Sequence, residues 1–449
     1  MPTNRVKPPR QHSLPGVEKQ FRAHTLRSLA AFVKTSPLVP GGVPGGLGFM
    51  RPYPVYISRG EGCYVYDSDG RRLLDMFNGD WVLPLGHNHP KVWVAILKQM
   101  QNGLIFGMPP NELAYKFARM MQRRVPSVER MRFTTSGTEA TLFALRLARA
   151  FTGKSKIAKM DGGYHGTHDS VMVATGWRDL GLLPGVEQNV TVLPFNQADA
   201  CEALIEKEKD QLAAVIVEPV LGGAGLIAAK PEFLHRLREI TRRHGIILIF
   251  DEVATFSLAR GGAQELYGIT PDLTTISKPI GGGLPLGLFG GRADIMDLVD
   301  PALPGGAHML HGATFGGHPL ALAGGIAYLK AMTPPIYRKL HHLGDRLRQG
   351  IKELAAKHEV PLQATGLGHM FGLHWTHHAV VDAETAATSD RQVMRELFLS
   401  LLCKGFLLTP PRLGFLSAAM TDRHIDQFLV AADEALVEND LSNLQSPER

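Results

Sequence analysis

Short apolar segments alternate with helical segments after about residue 110, and this alternation constrains the fold more than any other feature of the sequence. Apolar segments at 131–134, 156–159, 213–217 and 246–250 are predicted as strands. Helical stretches such as 139–151 and 231–244 separate them. Near-continuous apolar strands that alternate with helices are typical of a mostly parallel sheet buried on both faces. The pattern therefore predicts the α/β fold class.

The chain has 449 residues, which is enough for about two to three domain-sized units. Before the alternating region we predict a helix over 16–36, strands over 55–57 and 63–66, and a turn over 67–70. After it, long helices are expected over 336–358 and 390–404. The predicted division is a basic tail at 1–30, an N-terminal part of a small domain with its linker at 31–109, a large domain at 110–335, and a C-terminal small domain at 336–449.

Composition and cysteine usage indicate an ordinary globular protein of a reducing compartment. Hydrophobic residues make up 44% and charged residues 20% of the chain, and no apolar run approaches the roughly 20 residues that span a bilayer. Cys63, Cys201 and Cys403 are far apart and form no CxxC pair. The histidine groups have no acidic or cysteine partners at zinc-like spacing. We therefore expect a cytoplasmic protein with no membrane partner and no metal site.

The positive charge is concentrated in the first 30 residues. This segment holds six Arg or Lys residues and one Glu, a net charge of +5, whereas the whole chain carries +6. The rest of the chain therefore carries about +1, which argues against a nucleic-acid surface on the body of the protein. Three interpretations of the basic tail stay open: a solvated, partly ordered terminus, an organelle transit peptide, and a phosphate-binding arm.

Two polar turns follow predicted strands, and ligands bind at the carboxyl ends of parallel strands. Ser136, Gly137 and Thr138 come after the first strand and begin a helix, where free N–H groups and hydroxyls can bind an anion. A simple helix N-cap would have the same pattern. Tyr164 and His165 lie on a glycine-flanked turn after the next strand. Tyr164 there either stacks on a planar ring or packs within the loop.

Carboxylates end two of the later strands. Asp251 follows the most apolar strand, and Glu218 ends the strand before it. A buried carboxylate needs a partner, because an unpaired buried charge is costly. A protonated pyridine nitrogen, a metal ion or a helix N-terminus would each serve for Asp251.

Lys278 lies between an apolar segment and three glycines. A lysine in a shielded site can lose its proton, form a Schiff base and act as a base, and glycines let the backbone approach a bulky cofactor. A surface lysine beside a glycine turn would have the same pattern. A Schiff-base lysine, and an aspartate that keeps a pyridine ring cationic so that the ring withdraws electrons, are both features of enzymes that use pyridoxal 5'-phosphate (PLP).

The order and spacing of these segments resemble those of the class III PLP-dependent aminotransferases. The resemblance runs from about residue 40 to 430 and rests on Ser136-Gly-Thr-Glu-Ala140, Gly163-Tyr-His-Gly166, Glu218-Pro219, Asp251-Glu-Val253, Ser277-Lys278 and Gly312-Ala-Thr-Phe-Gly316. Residues 136–149 and 281–287 are most similar to the branch that holds glutamate-1-semialdehyde aminomutase and the β-amino acid transaminases. The resemblance implies fold type I, with a large, mainly parallel sheet domain and a small α/β domain from both termini, and a homodimer with shared active sites.

The resemblance also assigns roles to individual residues. Lys278 would hold PLP as a Schiff base and carry the proton, and Asp251 would pair with the ring nitrogen. The other implied cofactor-binding residues are Ser136, Gly137 and Thr138 at the phosphate, Tyr164 and Val253 on the two ring faces, His165 beside Tyr164, Glu218 in the supporting network, and Thr314 at the phosphate of the neighbouring subunit's PLP.

The sequence departs from that branch where relatives bind the substrate carboxylate. The positions that match the arginines of the aminomutase and of the β-amino acid transaminases hold Gly48 and Gly45. Without a guanidinium group, a bidentate carboxylate clamp is missing. Arg51 and Arg412 are candidates to replace it, or are surface arginines. Trp81 lies near a substrate-lining aromatic of the family and is either a wall of the amine pocket or a core residue.

The leading hypothesis is a PLP-dependent aminotransferase that takes an amino group from an amine or amino acid, including β-amino acids and amines without a carboxylate, and transfers it to a carbonyl acceptor. The alternative is other PLP chemistry on the same scaffold: a glutamate-1-semialdehyde-type aminomutase, a racemase or a decarboxylase. A cofactor-free binding protein is disfavoured because Lys278, Asp251 and the phosphate-site residues are all present. The expected partners are two small-molecule substrates and a second subunit, and neither nucleic acid nor membrane is expected.

Overall fold

The structure is a computed structural model that describes residues 15–107, 109–177, 180–410 and 412–438. The interpretations of the basic tail depend largely on residues 1–14, which lie outside the described residues. No helix of the described residues is long and apolar enough to cross a membrane.

The described chain alternates strands and helices over most of its length. Its strands are β1 (Ile57–Glu61), β2 (Tyr64–Asp67), β3 (Arg72–Asp75), β4 (Arg130–Thr134), β5 (Lys156–Met160), β6 (Val190–Leu193), β7 (Leu212–Val217), β8 (Val220–Leu221), β9 (Ile227–Ala228), β10 (Ile247–Asp251), β11 (Leu273–Ile276), β12 (Gly287–Gly291), β13 (Leu362–Thr365), β14 (Met370–Trp375), β15 (Phe406–Leu407) and β16 (Leu413–Phe415). Its α-helices are α1 (Pro15–His24), α2 (Leu26–Thr35), α3 (Asn78–Trp81), α4 (Pro90–Met100), α5 (Glu112–Gln122), α6 (Gly137–Thr152), α7 (Asp169–Met172), α8 (Ala198–Glu208), α9 (Gly222–Gly225), α10 (Pro231–Arg243), α11 (Ala263–Tyr267), α12 (Ala293–Met296), α13 (Pro319–Ala331), α14 (Pro334–His358), α15 (Ala383–Ala387), α16 (Arg391–Cys403) and α17 (Asp422–Glu438).

The large sheet has the strand order β4-β12-β11-β10-β7-β5-β6. Neighbouring strands from β11 to β6 are parallel, and β12 is antiparallel to both β11 and β4. Alternate residues of β7 and β10 pack into two different apolar clusters, one with α8 and α10 and the other with α6. The sheet is therefore buried on both faces, and the predicted α/β fold class is confirmed.

The four strands predicted in this region correspond to β4, β5, β7 and β10 within one residue at either end. Strand β12 was not predicted, because three of its five residues are glycine, which is typical of turns. A Cβ atom at Gly291 would lie 2.2 Å from the backbone oxygen of Asp272, and one at Gly287 would lie 2.4 Å from Thr134 Oγ1. These glycines are therefore required by the close approach of the neighbouring strands.

A second unit combines residues from both ends of the described chain. Strands β1, β2 and β3 form a sheet whose fourth strand is β15, paired parallel to β3 with Leu74 opposite Phe406. Strands β13, β14 and β16, which lie between residues 362 and 415, form a separate sheet. One apolar cluster contains buried residues from 17–76 and from 343–436. This matches the expected small domain from both termini, whereas the individual domain boundaries stay a prediction.

The N-terminal helix differs from its prediction over 16–36. It is interrupted at Thr25, whose φ is −132°, because its hydroxyl donates to Phe21 O (2.7 Å) and contacts Tyr53 Oη (2.8 Å). Phe21 is fully buried in the small-domain cluster. Residues 15–30, which the sequence assigned to a basic tail, therefore include part of the small-domain core. The strand predicted over 55–57 also differs, since β1 begins only at Ile57, after two prolines without N–H donors at 52 and 54.

Candidate active site

A buried carboxylate ends β10 at the carboxyl edge of the large sheet. Asp251 Oδ2 accepts a hydrogen bond from His165 Nδ1 (2.8 Å), and Oδ1 accepts from Thr275 Oγ1 (3.0 Å) and from Val253 N (3.1 Å). Burial lowers the pKa of His165, so the imidazole is neutral and donates Nδ1–H. Asp251 therefore has no permanently charged cation among its described hydrogen-bond partners.

Glu218 follows the neighbouring strand β7 and fixes two turns. Its Oε2 accepts from Tyr164 N (2.9 Å) and its Oε1 from Gly222 N (3.1 Å). Burial, and then the negative charge of Asp251, raise the pKa of Glu218 to about 8. A Cβ atom at Gly222 would lie 2.9 Å from Glu218 Oε1 and 3.3 Å from the Trp81 ring. Glycine there lets α9 close over the carboxyl group.

A buried lysine lies behind the turn that carries Tyr164 and His165. Lys159 Nζ donates to the backbone oxygens of Val173 (2.8 Å), Met160 (3.1 Å) and Ala174 (3.3 Å). Burial lowers the pKa of Lys159 to about 8, although the charge of Glu218 acts in the opposite direction. These bonds hold the two ends of segment 160–174 together at the end of β5.

The start of α6 lies against two other segments of the predicted site. Ser136 Oγ accepts a hydrogen bond from the backbone N–H three residues further on (3.2 Å), so Ser136 is the N-cap of α6. A Cβ atom at Gly137 would lie 2.9 Å from Val253 Cγ2, and one at Gly166 would lie 2.5 Å from Thr138 Oγ1. The structure thus brings the helix start, Val253 and the Tyr164–His165 turn together.

Lys278 follows β11 at the same edge of the sheet. Strands β10 and β11 are parallel with Asp251 opposite Thr275, so Lys278 comes three residues after the partner of Asp251. Its side chain is partly exposed, and Nζ donates to Asp80 O (3.2 Å) and lies 3.7 Å from Asp80 Oδ2. Nζ also lies 4.5 Å from the centre of the Trp81 ring.

The structure places Trp81 in the core, and its role as a wall of the amine pocket stays a prediction. The ring is buried and stacks on Phe415 with centroids 4.6 Å apart, and Nε1 donates to Thr409 Oγ1 (3.3 Å). It also contacts Lys278, as described above. Trp81 is therefore a core residue whose ring also lies beside Lys278.

The two candidate arginines differ in position. Arg412 Nη2 donates to the backbone oxygen of Ala224 (3.1 Å) in α9, beside Glu218, and burial lowers the pKa of this arginine. Arg51 is exposed. Thr314 is also exposed, on the loop before α13, and its contact with a neighbouring subunit stays a prediction.

Asp80 and Thr275 were not identified from the sequence. The Asn78-Gly79 pair signals a turn with positive φ, and that signal could have drawn attention to Asp80. For Thr275 no sequence signal exists, since a threonine in an apolar strand is ordinary. Among the described residues, no group of three or more His, Cys, Asp or Glu side chains is placed to hold a metal ion.

Residues 50–411 match the family described as Aminotransferase class-III. The chain belongs to this family. Glutamate-1-semialdehyde 2,1-aminomutase 2 of Brevibacillus brevis is 41% identical to this chain over 426 residues. The match covers 91% of this chain and 98% of that protein.

Solved structures of similar proteins agree with this family. A β-phenylalanine aminotransferase from Variovorax paradoxus is 35% identical with a TM-score of 0.89, over 95% of this chain and 97% of that one. A transaminase with PLP bound is 31% identical with a TM-score of 0.87, over 92% and 98% of the two chains. The predicted class III family, its aminomutase and β-amino acid transaminase branch, and fold type I are therefore confirmed.

The cofactor of this class-III aminotransferase family member is PLP, and the residues at the strand ends fit it. Asp251 is a buried carboxylate without a permanently charged partner, which suits a protonated ring nitrogen. The start of a 16-residue helix at Gly137 and Thr138 suits a phosphate group. A side chain at Gly137 or Gly222 would clash with Val253 or Glu218, so the backbone itself borders the site.

Proposed function

We propose that this enzyme transfers an amino group from an amine or amino acid to a carbonyl acceptor, with Lys278 as the residue that holds PLP. The observation that supports this most is the arrangement of two adjacent parallel strands. The segment after β11 carries a partly exposed primary amine, and the end of β10 carries a buried carboxylate without a permanent cation. PLP, when bound, withdraws electrons from the carbon that carries the amino group.

Asp251 and its partners are proposed to hold the ring-nitrogen side of the cofactor. Neutral His165 orients Oδ2, while Thr275 and Val253 N orient Oδ1. The carboxylate is therefore fixed before any ligand arrives and needs no reorganisation. Burial keeps water from competing for it, which strengthens its attraction for a cationic ring.

Lys278 is proposed as the acid–base group. Its Nζ would take the proton from the donor carbon that carries the amino group in the first half of the reaction, and would supply a proton to the corresponding carbon of the acceptor in the second half. Only Asp80 O and, at a longer distance, Asp80 Oδ2 contact this nitrogen among the described polar atoms. A lysine with so few partners is free to change its contacts during a reaction.

Arg412 is proposed to bind the carboxylate of a carbonyl acceptor. One of its donors is used by Ala224 O, and a second makes a 3.5 Å contact with Ala386 O. A guanidinium group has five N–H donors, so a fork remains for a carboxylate. The fixed position of Arg412 beside α9 favours it over the exposed Arg51.

An aminomutase is the second candidate, and the 41% identity to an aminomutase supports it. The segment at Gly45 and Gly48 argues against an aminomutase. Both glycines are exposed, and a Cβ atom at either would meet nothing within 4 Å. The segment therefore has room for the arginine of relatives, and this chain lacks it.

A homodimer is part of the proposal. Helix α4 exposes an apolar face formed by Trp93, Val94, Leu97 and Met100, which we call the α4 face. Trp93 also lines a cavity of about 240 Å³ with residues of the Gly282–Gly283 turn that follows Lys278. Apolar patches of this kind mark protein interfaces, and an interface here would lie directly beside the proposed site.

Val94→Glu tests the dimer against a matched control. Val94 and Val437 are 62% and 63% exposed, on α4 and α17. Val94→Glu should lower the mass measured by sedimentation equilibrium to that of a monomer, because a buried unpaired charge is costly. Val437→Glu should leave the mass unchanged, and equal masses for both variants and the wild type would contradict an interface at the α4 face.

The reaction itself is tested by product analysis with and without an acceptor. The PLP-loaded enzyme is incubated with a panel of amines, and the carbonyl product is measured. Without an acceptor, a transaminase should release no more than one molecule of carbonyl product per subunit. When a 2-oxo acid is added, it should release many molecules per subunit. A mutase should instead convert glutamate-1-semialdehyde repeatedly without any acceptor, and that result would replace the proposed function with the second candidate.

A further inference from the structure

The four residues of α3, Asn78–Trp81, form a left-handed turn and not a regular right-handed α-helix, with φ between 51° and 68°. Such a conformation is rare for residues other than glycine and needs support from its surroundings. Asp75 Oδ1 accepts from Asn78 N (2.9 Å), the Asn78 side-chain amide donates to Phe415 O, and the Trp81 ring stacks on Phe415. We call this segment the left-handed turn.

The left-handed turn brings Asp80 to Lys278. The backbone oxygen of Asp80 lies 3.2 Å from Lys278 Nζ, and Oδ2 lies 3.7 Å from it. The side chain of Asp80 is 64% exposed, whereas that of Lys278 is 20% exposed. The carboxylate therefore lies on the solvent side of the lysine, where a substrate would enter.

Asp80 differs from the other carboxylates of the site in what it contacts. Asp251 and Glu218 are buried, and both oxygens of each accept hydrogen bonds from the protein. The described ion pair of Asp80 is with Lys278 alone. If Lys278 holds the cofactor, as proposed above, then Asp80 becomes available to a different cation.

We propose that Asp80 selects amino donors with a second positive charge, namely short aliphatic diamines. This inference rests on the proposed function, since the reacting amine must take the place of Lys278 Nζ. The second ammonium group then pairs with the Asp80 carboxylate. A carboxylate-bearing donor is disfavoured at the same position, because like charges repel.

The geometry limits the length of the diamine. Oδ2 lies 3.7 Å from Nζ, and a charge-assisted hydrogen bond adds about 2.8 Å, so the two nitrogens of the donor are at most about 6.5 Å apart. This is the span of an aliphatic chain of about three or four carbons. A longer diamine would have to fold back to reach Asp80.

Binding in the absence of turnover tests the inference. Lys278→Ala protein loaded with PLP cannot turn over, and it lacks the competing ammonium of Lys278. Titration calorimetry would compare 1,4-diaminobutane with 1-aminobutane, which differ only in the second amino group. We expect the diamine to bind about fivefold more tightly, the size of a partly exposed charge pair.

The second variant is Lys278→Ala with Asp80→Asn. Asparagine adopts left-handed backbone more readily than most residues, so the turn should persist. The diamine should then keep at most the roughly twofold statistical advantage of its two equivalent amino groups. Lys278→Ala with Glu232→Gln, an exposed carboxylate on α10, is the matched control and should keep the fivefold preference.

Two results would overturn the role of Asp80: a preference for the diamine no larger than about twofold when Asp80 is present, or a preference that stays about fivefold in Asp80→Asn. The proposed function is judged separately by carbonyl release from the enzyme with Lys278 intact. An enzyme that transaminates monoamines without any diamine preference would keep the proposed function and lose only this inference.

Discussion

The inner wall of the site and its mouth are built in opposite ways. The inner wall consists of Asp251, His165 and Glu218, which are buried at the carboxyl ends of neighbouring strands. The mouth consists of Lys278 and Asp80, which come from distant parts of the chain, with Lys278 beside the Trp81 ring. Arg412 is assigned to the mouth as the proposed anchor of the acceptor. Each carboxylate oxygen of the inner wall accepts a hydrogen bond, whereas Asp80 has a single long ion pair.

This difference separates two tasks. A rigid wall whose carboxylate oxygens all accept hydrogen bonds suits a cofactor that is the same in every catalytic cycle. A mouth with few fixed contacts suits substrates that enter and leave, and its residues determine which substrates bind. Changes in the wall should therefore affect every substrate equally, while changes in the mouth should affect some substrates more than others.

Lys278→Ala should have the largest effect, because it removes the one mouth residue on which all the chemistry depends. We expect turnover below detection for every donor, while PLP still binds non-covalently. Turnover and PLP content would be measured on the same preparation. Lys278→Arg keeps a positive charge opposite Asp80 but supplies no nucleophilic amine, so it should be equally inactive. Activity retained in either variant would contradict the role of Lys278.

Asp251→Asn tests the inner wall. We expect kcat to fall by about two to three orders of magnitude for all donors, because a neutral amide no longer keeps the ring nitrogen protonated. Asp272→Asn is the matched control. Asp272 is also buried, but it precedes β11 at the opposite edge of the sheet, where Arg238 pairs with it. Its substitution should lower stability while leaving kcat per folded enzyme near normal, and equal losses in both variants would remove the special role of Asp251.

Glu218→Gln should change how stability depends on pH. The pKa of Glu218 is raised from 4.5 to about 8 by burial, so the folded state keeps a proton that the unfolded state has lost. Its stabilising contribution is therefore complete below about pH 4.5 and is lost as the pH rises to about 8. The wild type should lose on the order of a few kcal/mol relative to the variant over this range. Urea denaturation of both proteins between pH 5 and about 8 measures this, and parallel curves would contradict the raised pKa.

Arg412→Lys should have the smallest effect and should depend on the substrate. We expect KM for a 2-oxo acid to rise about tenfold, with kcat little changed, because lysine cannot form a bidentate pair with the carboxylate. KM for an aldehyde acceptor should not change. Arg51→Lys, at an exposed position, is the control and should leave both values as in the wild type. If Arg51→Lys gives the larger rise, the carboxylate anchor has been assigned to the wrong arginine.

The inner wall could be predicted from the sequence because it depends on local patterns. Each of its residues directly follows an apolar strand or the turn after one, and parallel strands bring those positions to one edge. This rule alone predicts Asp251 and Glu218 as residues of the site. Local patterns do not predict strand β12, because its glycines, which are needed for close packing, are typical of a turn.

Lys278 in the mouth is predicted by the same local pattern, but Asp80 is not, because its position depends on tertiary contacts. Asp80 reaches Lys278 only because the left-handed turn is held by Asp75 and Phe415, and Phe415 lies 335 residues beyond Asp80 in the chain. Trp81, its neighbour, was identified only through the family resemblance. No local pattern connects positions so far apart, and the resemblance itself indicated no carboxylate at this place.

The pairing of β3 with β15 has a consequence for how the protein is made. Leu74 and Phe406 are partners in this ladder, so most of the chain must leave the ribosome before the N-terminal sheet gains its last strand. The large sheet contains only strands between residues 130 and 291, and it can form earlier. Until synthesis is nearly complete, the edge of β3 is an unpaired strand and a place for wrong pairing. We expect newly made chains to depend on chaperones most at this stage, after the cofactor-binding half of the molecule has already folded.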